Sequence, residues 1–289
     1  MVFPPFVASS RRNQSSNESG ARLRWSASIR ASIAAVAILI STTLPLLHAV
    51  DPAPRPATTP TAVPACSIVV GFVGGFVNHD NPHHGPVRLA QRIRETVPKD
   101  TYVRVFENRR RKQAYKAIFR LLDTDHDGTL SSQEKARARI ILFGQSWGGA
   151  ATVLLARDLG RAGVPVLLTV QVDSVAKAWQ NDGVIPDNVA EAVNFYQPHG
   201  IIHGRARITA ADPTKTEILG NYLTDYRKEP VECPEASWVD RVFTPGHMQS
   251  ECDPRLWSRI EGMVRQRLSS FETSANASAA ASVEAQPQR

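Results

Sequence analysis

The stretch RIILFGQSWGGAATVLLA, residues 139–156, is an apolar run of strand length that meets Gly-Gln-Ser-Trp-Gly-Gly and then resumes apolar spacing at helical period. A strand that enters a helix through so few residues must turn very tightly. The residue at the tip is driven toward positive φ and lifts its side chain above the sheet, while small residues on either side let strand and helix approach. Gly144 and Gly148 fill the small positions and Ser146 the tip. There the Ser146 hydroxyl is exposed, and the Trp147 N–H at the helix start points into the same space, where an unpaired donor favours an oxyanion. Glycine-rich strand-to-helix turns also bind phosphate, but no Gly-Lys-Ser/Thr follows here.

Around this junction, apolar runs of strand length alternate with helical patterns. SIVVGFVGG (67–75), TYVRVFEN (101–108), RIILFG, VPVLLTVQVDS, AVNFYQ (192–197) and WVDRVF (238–243) read as strands. VRLAQRIRETV (87–97), RRKQAYKAIFRLL (110–122), AATVLLARDLGRAG and DPRLWSRIEGMVRQRLSSF read as helices, the last with Asp253 and Pro254 as start signals. Such alternation predicts an α/β fold, a mostly parallel sheet sandwiched by helices.

The folded part is expected over 66–272. Ahead of it, Arg11, Arg12, Arg22, Arg24 and Arg30 face only Glu18, and residues 31–50 carry no charge, the pattern of an export signal or N-terminal membrane anchor. A proline- and threonine-rich linker, 51–65, follows. From Thr273 on, TSANASAAASVEAQPQR has little to bury and reads as a disordered tail. The net charge of +7 owes four units to the first 30 residues, which weighs against nucleic acid as a partner. In an oxidising compartment Cys233 and Cys252 could close a disulfide, with Cys66 left free.

A serine hydroxyl at its ordinary pKa is a weak nucleophile and needs a base held by a third group. His247, in TPGHMQ between the last strand and the last helix, is expected in a loop at the carboxyl edge of the sheet. Asp173 ends the strand after the one that carries Ser146, so it emerges at the same edge, one strand over. Asp182, Asp187, Asp212 and Asp240 are the rivals for the acid, Asp182 and Asp212 foremost. The histidines of NHDNPHHG (78–85) are expected to cap the following helix and line the cleft rather than to hold a metal.

GQSWGG, VQVD and PGHM, with the glycine-rich strand end GFVGG, make residues 66–272 resemble the α/β-hydrolase superfamily, its lipase and esterase branch in particular. The resemblance implies a Ser146 acyl-enzyme with His247 as base and then acid. It places the acid most commonly after the next strand, near Gln197, where no acid stands; some lipases carry it one strand earlier, which matches Asp173. It also implies a second oxyanion N–H from the loop that starts near Phe72.

One further segment has its own chemistry. Residues 123–134 read DTDHDGTLSSQE, with Asp123, Asp125 and Asp127 at loop positions 1, 3 and 5, Gly128 at 6 and Glu134 at 12. Ca²⁺ takes about seven oxygens, and three short carboxylates, the Thr129 carbonyl, Ser131 and a bidentate Glu134 would supply them. The segment resembles a single EF-hand loop, and its expected role is a structural Ca²⁺ clamp.

The chemistry expected is hydrolysis of a small or lipid-derived carboxylic ester. A thioesterase or amidase with the same triad, and a noncatalytic Ca²⁺-dependent binding module, are the alternatives. The long polar segments between Asp173 and His247 are expected to form a cap over the pocket.

Overall fold

The computed structural model describes the backbone of residues 64–236 and 244–284, with side chains as far as Ser269. The expected export segment, most of the linker, the expected strand at 238–243 and Asp240 lie outside the described residues. Among the described residues no helix is long and apolar enough to cross a membrane.

Six parallel strands form one sheet: β1 (Cys66–Val73), β2 (Tyr102–Glu107), β3 (Ala138–Gln145), β4 (Val166–Val172), β6 (Val189–Tyr196) and β8 (Glu217–Leu223). Two short strands, β5 (Val184–Ile185) and β7 (Thr209–Ala210), pair separately. In the main sheet the order is β2-β1-β3-β4-β6-β8, so the chain starts near the middle, steps outward to β2, then returns across β1 and builds in the other direction. The reversal lies between β1 and β3, and a crevice at the carboxyl ends of such strands is where open α/β sheets place their sites.

The central strands are apolar on both sides because both faces are covered. Ile68, Val70 and Phe72 of β1, with Ile140 and Leu142 of β3, pack against Ala114, Ile118 and Leu122 of α2 (Arg111–Leu122) and against α4 (Trp147–Arg161). The alternate residues Val69, Ile141 and Phe143 pack against α1 (Gly85–Thr96) and the last helix, α6 (Pro254–Glu284). Trp257 of α6 is fully buried and donates its indole N–H to the carbonyls of Ser250 and Glu251. Two short helices also lie among the described residues, α3 (Ser132–Ala136) and α5 (Pro245–Cys252).

The structure departs from the sequence reading in two places here. The polar segment expected as a cap contributes β8, the edge strand of the sheet, along with β7. Its residues are mostly half-buried, and it carries Gly220 and Asn221, so no apolar run marked it. The second departure is at the end of the chain, where the helix continues to Glu284 through a segment expected to be a disordered tail. Residues 273–284 contain five alanines, the residue of highest intrinsic helix propensity.

Candidate active site

Ser146 stands at φ 56°, ψ −127°, between the end of β3 and the first residue of α4. Backbone in that region costs about 1–3 kcal/mol and persists only where neighbours over-determine it. Here the Ser146 N–H donates to the Val172 carbonyl at 2.9 Å, and its own carbonyl accepts from Gly149 at 2.9 Å and Val175 at 3.1 Å. The flanking glycines are a packing requirement. A Cβ on Gly144 would stand 2.3 Å from the Gly148 carbonyl oxygen, and one on Gly148 would stand 2.3 Å from the Phe72 carbonyl oxygen.

Asp173 follows β4 directly, with no exposed surface and φ 42°. His247 Nδ1 lies 2.7 Å from its Oδ2. A carboxylate only accepts, so Nδ1 carries the proton, and Nε2 of the neutral ring is the acceptor, facing the Gln145 amide nitrogen at 3.3 Å. Three more donors hold the carboxylate: Gln197 Nε2 at 2.9 Å on Oδ2, and the backbone N–H groups of Gly204 at 2.6 Å and Gln197 at 3.3 Å on Oδ1. Gln197 therefore occupies the edge position where the resemblance would put an acid, and it donates to Asp173, one strand earlier. The three rival carboxylates among the described residues are engaged elsewhere. Asp182 accepts from Ser174 Oγ at 2.6 Å and Arg205 Nε at 2.7 Å, Asp187 pairs with Lys215 at 2.8 Å, and Asp212 accepts from Thr214.

His247 does not sit in a loop as expected. It lies in the first turn of α5, which starts at Pro245, and is only 7% exposed. The far end of α5 is joined to the preceding segment by a disulfide, Cys233–Cys252, with Cα atoms 5.7 Å apart.

Ser146, Trp147 and His247 share a cavity of about 380 Å³ with Gly74, Val175 and Ile202, a size typical of small-molecule sites. His247 Nε2 is 3.3 Å from Gln145 Nε2, and Ser146 Oγ makes no hydrogen bond to it. Such bonds are often long before substrate binds and tighten afterwards. A larger cavity of about 520 Å³ between α2 and α4 is lined by Arg111, Lys112, Lys116 and Arg161 and holds neither nucleophile nor base.

The oxyanion residues divide. Trp147 is the first residue of α4 and lines the cleft. Phe72 does not reach it: it lies within β1, paired with Phe106 of β2 and Gly144 of β3, and its side chain is fully buried. The strand runs one residue further than the loop expected to start there, and Gly74 and Gly75 line the cleft instead. Gly74 passes so near the nucleophile that a Cβ on it would lie 2.8 Å from Ser146 Cβ. The loop is held by the Asn108 amide, which donates to Gly75 O at 2.6 Å and Val73 O at 3.3 Å. Asn108 and Gln145 escaped the sequence reading because a lone amide leaves no spacing signal.

The histidines of NHDNPHHG face three different acids: His79 lies 3.1 Å from Glu107, His83 3.7 Å from Glu235, and His84 3.0 Å from Glu251. His84 lines the cleft, as expected, but makes no side-chain cap to α1. In the segment 123–134, Asp123, Asp125 and Glu134 each bring one carboxylate oxygen within 4.8 Å of the others. Asp127 turns instead to the N–H and hydroxyl of Thr129, and Ser131 caps α3 in a reciprocal capping box with Glu134. Hydrogen bonds from Thr124 and Ser131 hold the Glu134 carboxyl down to about 2.

No protein-family model matches the chain, and no curated protein matches it. Among solved structures, a thermostable esterase from Pseudomonas putida is similar over 74% of this chain and 75% of its own, at 13% identity and a TM-score of 0.37. RedJ is similar over 73% and 96% at 12% identity and TM-score 0.39, and an acetyl xylan esterase over 72% and 98% at 12% identity and 0.33. Likeness at this level carries no activity over to this chain. By its own strands and helices, the chain has an α/β fold, a parallel sheet covered by helices on both faces.

Proposed function

We propose that the chain is a serine hydrolase that cleaves carboxylic esters, with Ser146 as nucleophile, His247 as base and Asp173 as the group that orients it. The observation that carries the reading is the buried 2.7 Å contact between Asp173 and His247, in a helix that brings the imidazole to the same cleft as a serine held at positive φ. Ser146 Oγ attacks the ester carbonyl and passes its proton to His247 Nε2 while the carbonyl oxygen becomes an oxyanion. The Trp147 N–H, with an amide of the Gly74-Gly75 loop, receives that oxyanion. His247 returns the proton to the departing alcohol. Water then attacks the acyl carbon, giving a proton to His247, which passes it to Ser146 Oγ as the acyl bond to the serine breaks and the acid leaves. Asp173 stays ionised throughout and stabilises the imidazolium.

The test is labelling of the full chain by a fluorophosphonate, which reacts with activated serines. Wild type should be labelled at Ser146, and Ser146→Ala and His247→Ala should not be. Absence of labelling in wild-type protein shown to be folded would overturn the reading. A panel of esters, thioesters and amides of matched acyl group then assigns the leaving group. The expected setting is extracytoplasmic, released or anchored through the N-terminal segment. The Cys233–Cys252 bridge supports this, since such bonds persist in oxidising compartments.

A further inference from the structure

We propose that residues 123–134 hold one Ca²⁺ ion, which clamps the end of α2 to the base of the strand carrying Ser146. Asp123 is the C-cap of α2, and Glu134 is in the first turn of α3, which leads into β3 at Ala138. The loop between them therefore joins a helix of one core face to the central strand. Asp123, Asp125 and Glu134 converge within 4.8 Å, and a second observation makes this more than an acidic cluster. Asp123 is only 8% exposed, and its Oδ1 is sealed from solvent with no hydrogen-bond partner. Its other oxygen already accepts the Gly128 N–H at 3.2 Å. A buried carboxylate oxygen with no donor is a cost that a hard cation removes, since oxygen ligands are what Ca²⁺ takes.

Gly128 has φ 81°, which lets the chain wrap the position. Leu130 packs against the core on the α2 side, so closing the loop on an ion also fixes a core contact. The carboxylates of Asp123, Asp125 and Glu134 supply the ion's first oxygens. The Thr129 carbonyl, Ser131 and Asp127 are the remaining candidates, Asp127 only after it releases Thr129.

The test is calorimetric titration of the metal-stripped full chain with CaCl₂, with thermal unfolding recorded at each concentration. One equivalent should bind with a Kd of about 1 mM or tighter, and Tm should rise with Ca²⁺. Asp123→Asn should weaken binding at least tenfold and remove most of the Tm rise. Asp125→Asn, at an exposed position that threatens folding less, should do the same, and Asp212→Asn should leave both unchanged. No binding and no Tm rise at 10 mM CaCl₂ would overturn the proposal. So would equal affinity in wild type and Asp125→Asn, or Mg²⁺ bound as tightly as Ca²⁺.

Discussion

Replacing Asp173 by Asn tests the proposed triad at the residue with the most rivals. Four donors converge on the Asp173 carboxylate: His247 Nδ1, Gln197 Nε2 and the N–H groups of Gly204 and Gln197. The Asn oxygen can keep the two backbone donors on the Oδ1 side. Its NH₂ then replaces Oδ2, against two other donors. Gln197 cannot turn its amide over freely, because its Oε1 already accepts the His199 N–H at 2.8 Å. His247 escapes the clash by moving its proton from Nδ1 to Nε2. That tautomer presents a donor to Ser146, and general-base catalysis is lost. A triad whose acid is amidated loses about 10³–10⁴-fold in kcat, or about 4–5.5 kcal/mol of transition-state stabilisation. The assay is steady-state hydrolysis of an activated ester, with Tm recorded for every variant. Asp173→Asn should fall by that factor, whereas the same change at Asp182 or Asp212 should lower kcat far less. A loss below about tenfold, or 1.4 kcal/mol, in Asp173→Asn protein that is still folded would refute the assignment, and so would an equal loss at Asp182.

Two further predictions concern the supports of the site. The Cys233–Cys252 bridge closes a loop with a sequence separation of 19, so the Cys233→Ser, Cys252→Ser double variant should lose about 3 kcal/mol. For a domain of this size that is a drop in Tm of roughly 6–12 °C. An unchanged Tm would mean that the bridge does not restrain α5. Glu107, at the end of β2, meets His79 at 3.1 Å and Arg110 at 3.0 Å. Burial pushes its carboxyl up, but its own backbone amide, His79 and Arg110 outweigh this and leave it below the ordinary 4.5. A lowered carboxyl stabilises the fold above its unfolded pKa and loses that contribution as pH falls through its folded value. The stability gap between wild type and Glu107→Gln should therefore be open at neutral pH and close below about 4.5. A gap independent of pH in urea unfolding would refute the electrostatic account.

The sequence by itself determined the α/β architecture and the serine at the turn. Unbroken apolar strands such as IILF mean burial on two faces, and a serine flanked by Gly144 and Gly148 at a strand-to-helix junction leaves the backbone few alternatives. Both are local properties, written in neighbouring residues. The place of Asp173 at the sheet edge was legible for a similar reason, because a residue at the end of the adjacent strand must emerge at the same edge. What escaped the sequence was whatever depends on contacts between distant segments. β8 is an edge strand whose partner is β6, and its half-polar residues carry no period of their own. Phe72 was misplaced because the length of β1 is set by pairing with β2 and β3 on either side.

Only the tertiary structure decided that Gln197 and Gly204 hold the Asp173 carboxylate, that Asn108 holds the Gly74-Gly75 loop, and that His247 rides on a helix tied down by a disulfide. The physical reason is that the direction of a buried hydrogen bond is fixed by where two remote pieces of backbone end. Sequence spacing can specify a turn, but it cannot specify that meeting.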